Sequence, residues 1–259
     1  MTLNFTEFRK KASRNINIDL SSYKAKRVKR RINSLMDKND IEDYNQCLNL
    51  LKTNKNFKKE FLDHFTINTS EFFRNPQNFN YLKEEVFPEL FDHNNKIKIW
   101  SAACSNGSEP YTLAIMLNEL GINSRRFEIL ATDIDREILK KAKQGIYNEN
   151  SVKKIEENIL NKYFTEQDDK YVLSSSIKNR VKFKHHNLLT DSYRSNWNLI
   201  LCRNVFIYFT KEVKEQITQK LSNALAKDGF LFLGNTEYLL KPSKYDLTKE
   251  HTSFYRRQK

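Results

Sequence analysis

The feature that most constrains this chain is a change of hydrophobic period near residue 97. Before it, apolar residues recur at three-and-four spacing, as on helices; after it, short apolar runs alternate with helical segments and turn signals. A switch of this kind predicts an all-helical N-terminal domain followed by an α/β domain, with a mostly parallel sheet covered by helices on both faces. With 259 residues there is chain enough for both.

The helical part is also the basic part. Of a net charge of +13, residues 1–65 hold 15 Lys and Arg against 8 Asp and Glu. From Ser22, a candidate N-cap, YKAKRVKRRINSLM places Ala25, Val28, Ile32 and Leu35 on one stripe. Lys24, Arg27 and Arg31 then share the opposite face, with Lys26 and Arg30 beside them. Acidic residues are nearly absent there, so this face reads either as a solvated surface or as a docking face for an acidic partner. IEDYNQCLNLL and NFKKEFLDHF continue the helical pattern to about residue 65.

In the second part, KIKIW, FEILAT, VKFKHH, WNLILC and FLFLG read as five strands, and SFYRR as a final antiparallel edge. Pro110 suits the first turn of the helix after the first strand, and Gly121 its end. Asp135 can cap DREILKKAKQ, which Gly145 can end. Thr210 can cap a long helix that reaches almost to Gly229. Residues 148–180 interrupt the alternation, with helical SVKKIEENILNKYF and then EQDDKYVLSSSI, which suits a short hairpin.

In open parallel sheets, ligands bind at the carboxyl ends of the strands where strand order reverses. The loop SAACSNGSEP lets a ligand approach the backbone closely, but its single glycine, Gly107, fails the pattern that cradles a pyrophosphate, which disfavours a nicotinamide dinucleotide. ATDID ends the second strand, and Asp133 is placed to accept from two ribose hydroxyls. Together they point to an adenosine without a phosphate chain, and S-adenosylmethionine fits. CRNVFIYF after the fourth strand lacks the Asn/Asp-Pro-Pro-aromatic and Pro-Cys signatures of base methylation. Cys202 therefore reads as a small residue ending a buried strand. His185 and His186 match no ligand spacing and read as ordinary satisfied histidines; no metal set is found.

The remaining classes narrow quickly. No apolar run reaches the roughly 18 residues of a membrane span, and the start has no signal-peptide core, so a chain neither exported nor membrane-embedded is expected. Cys47, Cys104 and Cys202 form no CxxC pair and suit a reducing cytoplasm.

Five blocks in order, NTSEFFRNPQNF (68–79), WSAACSNGSEPYTLAIML (100–117), ATDIDREILKKAKQGIY (131–147), CRNVFIYF (202–209) and FLFLGNTE (230–237), together resemble the CheR-type chemotaxis receptor glutamate O-methyltransferases. The resemblance spans nearly the whole chain. It implies a Rossmann-like class I S-adenosylmethionine-dependent methyltransferase domain at 96–259 with a short inserted β-subdomain. A basic all-helical domain at 1–65 and a linker at 66–95 contributing to the cofactor site would precede it. It further implies that Asn68, Ser70, Arg74, Glu109, Asp133, Asn187, Leu188, Arg203 and Asn204 hold the cofactor, and that Arg74 and Tyr208 lie near the transferred methyl. The product would be S-adenosylhomocysteine. The substrate would be the cytoplasmic, helical, glutamate-rich region of methyl-accepting receptors, docked through Lys24, Arg27 and Arg31.

Members that bind a receptor-tail pentapeptide tend to carry a longer, glycine-containing loop in the insertion. The short TEQDDKYVLSSSI implies independence of such a tether. A nucleic-acid modifier is the rival suggested by charge, without a base-methylation signature or an aromatic-rich groove. A non-catalytic receptor adaptor is the other.

Overall fold

The computed structural model describes residues 3–65 and 70–258. They fall into two compact units, one of residues 3–65 plus Tyr208–Lys214, the other of residues 70–207 and 215–258.

The first unit holds four helices: α1 (Phe5–Ile16), α2 (Ala25–Lys38), α3 (Tyr44–Thr53) and α4 (Lys55–Phe65). Asn4 and Glu7 close a capping box on α1, and the Asp43 carboxylate caps α3 by accepting from the Gln46 amide at 2.8 Å. The buried stripes supply Phe8, Ala12, Val28, Ile32, Leu35, Cys47, Leu51 and Phe61 to one core. Ser22 is not the cap of α2. It ends a 3₁₀ turn (Leu20–Ser22) organised by Asp19, whose carboxylate accepts from the Ser21 and Ser22 hydroxyls, and α2 starts at Ala25 with no side-chain cap. Ala25 is exposed, and Met36 completes the buried stripe instead. Residues from far along the chain join this unit: the Lys24 amide donates to the Tyr208 carbonyl at 2.9 Å and the Thr210 amide to the Ser22 carbonyl at 3.0 Å.

The second unit begins with α5 (Pro76–Tyr81), which runs through one π turn (Leu82–Val86) into α6 (Phe87–His93). Phe79, Leu82, Val86, Phe87 and Leu90 bury this helical run in the unit's main core. There follow β1 (Ile97–Ala102), α7 (Ser108–Glu119), β2 (Phe127–Asp133), α8 (Arg136–Gln144), β3 (Ile146–Tyr147), α9 (Glu149–Val152) and α10 (Glu157–Tyr163). The chain continues through β4 (Phe164–Gln167), β5 (Lys170–Leu173), α11 (Ser175–Lys178), β6 (Val181–His185), β7 (Trp197–Cys202), α12 (Lys211–Ala224), β8 (Leu225–Leu233), β9 (Leu247–His251) and β10 (Phe254–Arg257).

The main sheet has the order β6-β2-β1-β7-β8-β10-β9. Its first five strands are mutually parallel, and β10 and β9 add antiparallel. Burial along β1, β2 and β7, broken only at the second residue of each, is what a parallel sheet covered on both faces requires. Asp135 caps α8 through the Glu137 and Ile138 amides, and Gly145 ends it at φ 67°. The order reverses between β1 and β7, which fixes the crevice where ligands of such sheets sit.

Three expectations need correction. SFYRR is not the edge: β10 is flanked by β8 and by β9, a polar strand that periodicity missed because only Leu247 of its five residues is buried. α12 stops at Ala224 rather than near Gly229. Leu225 already pairs with Trp197, and a Cβ at Gly229 would stand 2.8 Å from the Trp197 carbonyl oxygen, so this stretch lies in β8. SVKKIEENILNKYF is two helices, not one: Val152 and Ile155 both turn into the core, and Glu156 is extended before α10 restarts. The hairpin is present as β4 and β5, with Asp168 and Asp169 both left-handed at its turn, and β3 extends it to a three-stranded sheet.

Candidate functional site

The loop leaving β1 is tightly wound. Ala103, Ser105 and Gly107 have φ of 63°, 52° and 85°, a conformation costly for residues with a Cβ. At Gly107 a Cβ would stand 3.1 Å from both Ala142 Cβ and the Tyr111 ring. The strain is held by β2: the Cys104 amide donates to the Thr132 carbonyl at 2.9 Å, and the Ser105 amide to Asp133 Oδ2 at 2.9 Å.

Asp133 is only 7% exposed, and its Oδ1 accepts from the Asp135 amide at 3.0 Å. Burial pushes its carboxyl up to about 6, against the pull of the Asp135, Ser105 and Ile134 amides. It is thus an ionised acceptor at neutral pH with lone-pair capacity remaining. Ser105 Oγ beside it is buried without a hydrogen-bond partner.

Arg203 leaves β7 and is 6% exposed, its guanidinium lying over the rings of Phe79 and Phe232 at 5.1 and 4.5 Å. It donates to Glu109 Oε2 at 3.2 Å and, through Nη2, to the Arg74 carbonyl at 2.8 Å and Asn75 Oδ1 at 3.2 Å. Burial lowers its affinity for the proton while Glu109 raises it. Glu109, in the first turn of α7, also accepts from Ser101 Oγ at 2.8 Å. One buried ion pair therefore joins the ends of β1 and β7 to the Arg74 segment. Phe72 and Phe73 flanking Arg74 are packing residues: Phe72 meets Tyr147 and Phe164 edge-on, and Phe73 meets Phe79.

Asn204 is left-handed at φ 60°, and its amide donates to Glu237 Oε2 at 2.8 Å. Glu237, 5% exposed, also accepts from the Gly234 amide at 2.8 Å and the Ile207 amide at 3.2 Å. Burial raises its carboxyl while these amides and that of Phe206 lower it. At the end of β6, the His186 amide donates to the Asp133 carbonyl at 3.0 Å, which sets Asn187 and Leu188 beside Asp133. Asn187 Oδ1 accepts from the Leu189 amide at 2.9 Å, and Lys220 Nζ donates to the Leu189 carbonyl at 2.8 Å.

Hydrogen bonds tie Arg74 and Glu109 to Arg203, the His186 end of β6 to Asp133, and Asn204 to Glu237, and the parallel strands place these loops at one end of the sheet; the Ser70 carbonyl accepts from Asn106 Nδ2 at 3.2 Å. Asn68 lies outside the described residues. Tyr208 clusters with the helical unit, where Arg27 lies over its ring at 5.6 Å. The trio on α2 is not uniform. Lys24 is exposed, but Arg31 is half-buried and donates to the His64 carbonyl. His186 is not fully satisfied: Nδ1 stands 3.6 Å from Asp191, while Nε2 is buried without a partner, and burial lowers its basicity. Glu237 was missed, although it is an acid placed directly after a buried strand within FLFLGNTE.

The family described as "CheR methyltransferase, SAM binding domain" matches residues 68–254, and "CheR methyltransferase, all-alpha domain" matches 3–66. The chain belongs to the CheR methyltransferase family. It is 39% identical over 249 residues to a chemotaxis protein methyltransferase of Listeria innocua, covering 96% of this chain and 95% of that one. A protein of the same description from Listeria monocytogenes is 38% identical, with the same coverage. Among solved structures, a TehB-like SAM-dependent methyltransferase of Corynebacterium glutamicum is 14% identical, with a TM-score of 0.41 over 71% of this chain and 96% of that one.

The cofactor of this CheR chain is S-adenosylmethionine. Its residues fit that group: Asp133 offers a desolvated carboxylate for a vicinal diol, the hydroxyl of Ser105, whose amide donates to that carboxylate, is buried without a partner, and no glycine-rich anion cradle competes. No helix among the described residues is long and apolar enough to cross a membrane.

Proposed function

We propose that the protein transfers a methyl group from S-adenosylmethionine to glutamate side chains of chemotaxis receptors, forming methyl esters in the cytoplasm. When bound, the sulfonium supplies an electrophilic methyl. A glutamate carboxylate, with an ordinary pKa of about 4.3, is already ionised and needs no general base. What the protein must do is hold the acceptor in line and strip it of water.

The observation that carries this reading is Arg74. Its carbonyl is pinned by buried Arg203, while Arg74 itself is half-buried and its guanidinium has no ion-pair partner among the described residues. Its charge is left for an incoming carboxylate, which it positions without the tight ground-state pairing that would slow attack. Asp133 and the 187–188 segment hold the nucleoside, Ser70, Glu109, Arg203 and Asn204 shape the rest of the cofactor pocket, and Tyr208 gives a hydrogen bond near the transferred methyl.

The receptor region recognised is helical and rich in glutamate. It docks through the basic face at and after the start of α2, where Lys24, Lys26 and Arg30 are exposed beside Arg27 and Arg31. The β4–β5 turn is only Asp168–Asp169, which supports recognition without a receptor-tail pentapeptide tether.

The test is transfer of a labelled methyl to a purified receptor cytoplasmic fragment. Label released as methanol by mild alkali supports a carboxyl ester. Alkali-stable label, or none transferred, overturns the reading.

A further inference from the structure

We infer that Tyr238 and Leu240, on the loop after β8, form the apolar rest against which the glutamate-bearing receptor helix packs as its side chain enters the site. The inference rests on the receptor-methylation reading above. Four large hydrophobic side chains are exposed among the described residues: Leu120, Ile146, Tyr238 and Leu240. Tyr238 and Leu240, at 69% and 81%, are the most exposed of the four and stand two residues apart. Leu120 follows α7 as its C-cap, beyond a helix that runs back from the carboxyl end of β1, and Ile146 lies in the small three-stranded sheet.

Because β1, β2, β6, β7 and β8 are parallel, the loop after β8 lies at the same end of the sheet as every cofactor loop. Asp133, Asn187 and Leu188 occupy the β2 and β6 side of the reversal in strand order. The ends of β7 and β8 form the other side, open to a second reactant.

The exposure is not that of a slack loop. Glu237, immediately before Tyr238, is buried under three amide donors, and its own amide donates to the Gly234 carbonyl at 2.8 Å. The amide of Leu239, between the two exposed residues, donates to the hydroxyl of Tyr255 at 3.0 Å, and Tyr255 is fully buried. Two apolar side chains are therefore held out into water on a fixed frame, where their burial by a partner needs little further ordering. The exposed residues of this segment, Asn235, Thr236, Tyr238, Leu240 and Lys241, include a cation and no acid. That combination suits an amphipathic helix carrying an apolar stripe and glutamates.

The experiment uses the full chain carrying Tyr238→Ala with Leu240→Ser. The KM for a receptor cytoplasmic fragment is expected to rise about tenfold or more, as for losing two largely buried apolar contacts. S-adenosylmethionine affinity by calorimetry and the melting temperature should equal the parent's. An unchanged KM overturns the inference, as does a KM change accompanied by equal loss of cofactor affinity. Photo-cross-linking from a benzophenone residue at position 240 reads the contact separately: capture of the fragment supports docking even if the parent transfers no methyl, the result that would overturn the reaction alone. Failure of capture with an active parent overturns the docking alone.

Discussion

The Glu237 carboxylate accepts the Asn204 amide at 2.8 Å, so the loop after β7 takes its shape from the loop after β8. The same carboxylate accepts from Ile207 and Gly234, and a Cβ at Gly234 would stand 2.7 Å from Glu237 Oε2 and 2.9 Å from the Asn204 amide nitrogen. Both carboxylate oxygens face donors, so Glu237→Gln must turn an NH₂ toward an amide. It should destabilise the protein by about 1–3 kcal/mol, as for a buried group left without its partner, and lower turnover through the displaced loop. Denaturant unfolding and steady-state rates check this. Parent-like values in both would show that the loop holds its shape without Glu237.

In its proposed role, Asp133 should make cofactor binding pH-dependent. Its carboxyl is raised from 3.8 to about 6 in the cofactor-free protein, and hydroxyl donors of a bound ribose would lower it again. Affinity should therefore be flat above pH 6 and fall below it, by at most about tenfold per pH unit, with a proton released on binding. For folding the sign is opposite. The raised pKa contributes stability that is complete below the unfolded value near 3.8 and lost as pH rises through about 6. Calorimetry in buffers of different ionisation enthalpy measures the proton; equal heats at pH 5 and pH 7.5 would remove Asp133 from the site.

The Arg203–Glu109 pair is buried, so breaking one side should cost more than removing both. Arg203→Met alone leaves Glu109 with only the Ser101 hydroxyl and should cost about 3–5 kcal/mol. Adding Glu109→Met should restore part of that loss. A double-mutant cycle of unfolding free energies gives the coupling, and strict additivity would mean the pair is not a unit.

On α2 the two kinds of cation should separate. Lys26→Glu with Arg30→Glu changes exposed residues, so it should slow receptor methylation at low salt, flatten its salt dependence and leave the melting temperature unchanged. Arg31→Glu puts a carboxylate against the His64 carbonyl in a half-buried position and should lower the melting temperature instead. Full methylation by the Lys26/Arg30 variant at low salt would sink the docking face.

Tyr208→Phe should lower turnover while leaving S-adenosylmethionine affinity within about twofold, since the hydroxyl is proposed to act at the transferring methyl rather than on the bound nucleoside. Single-turnover rates equal to the parent's would remove that role.

Much of this was legible beforehand because it is local. The strand-helix alternation, the Asp135 cap, the left-handed Gly145 and the acid ending β2 are each set by residues within a few positions of one another, and spacing alone reveals them. β9 was not legible, because a strand with one buried residue carries no alternation and owes its place to pairing with β10. Nor was the end of α12, where helical propensity runs on but the Leu225–Trp197 pairing takes over.

The sequence by itself determined the switch from helices to alternating strands and helices, the family and the chemical types at the strand ends. Tertiary structure decided which charge meets which. Arg203 and Glu109 are 94 positions apart, Asn204 and Glu237 are 33 apart, and Arg31 reaches a carbonyl 33 positions away. A basic or acidic letter has the same polarity whether it faces water or a buried partner. Only the crossing of distant segments removes the water, and with it sets whether that charge is a solvated surface, a pinned loop or a binding group.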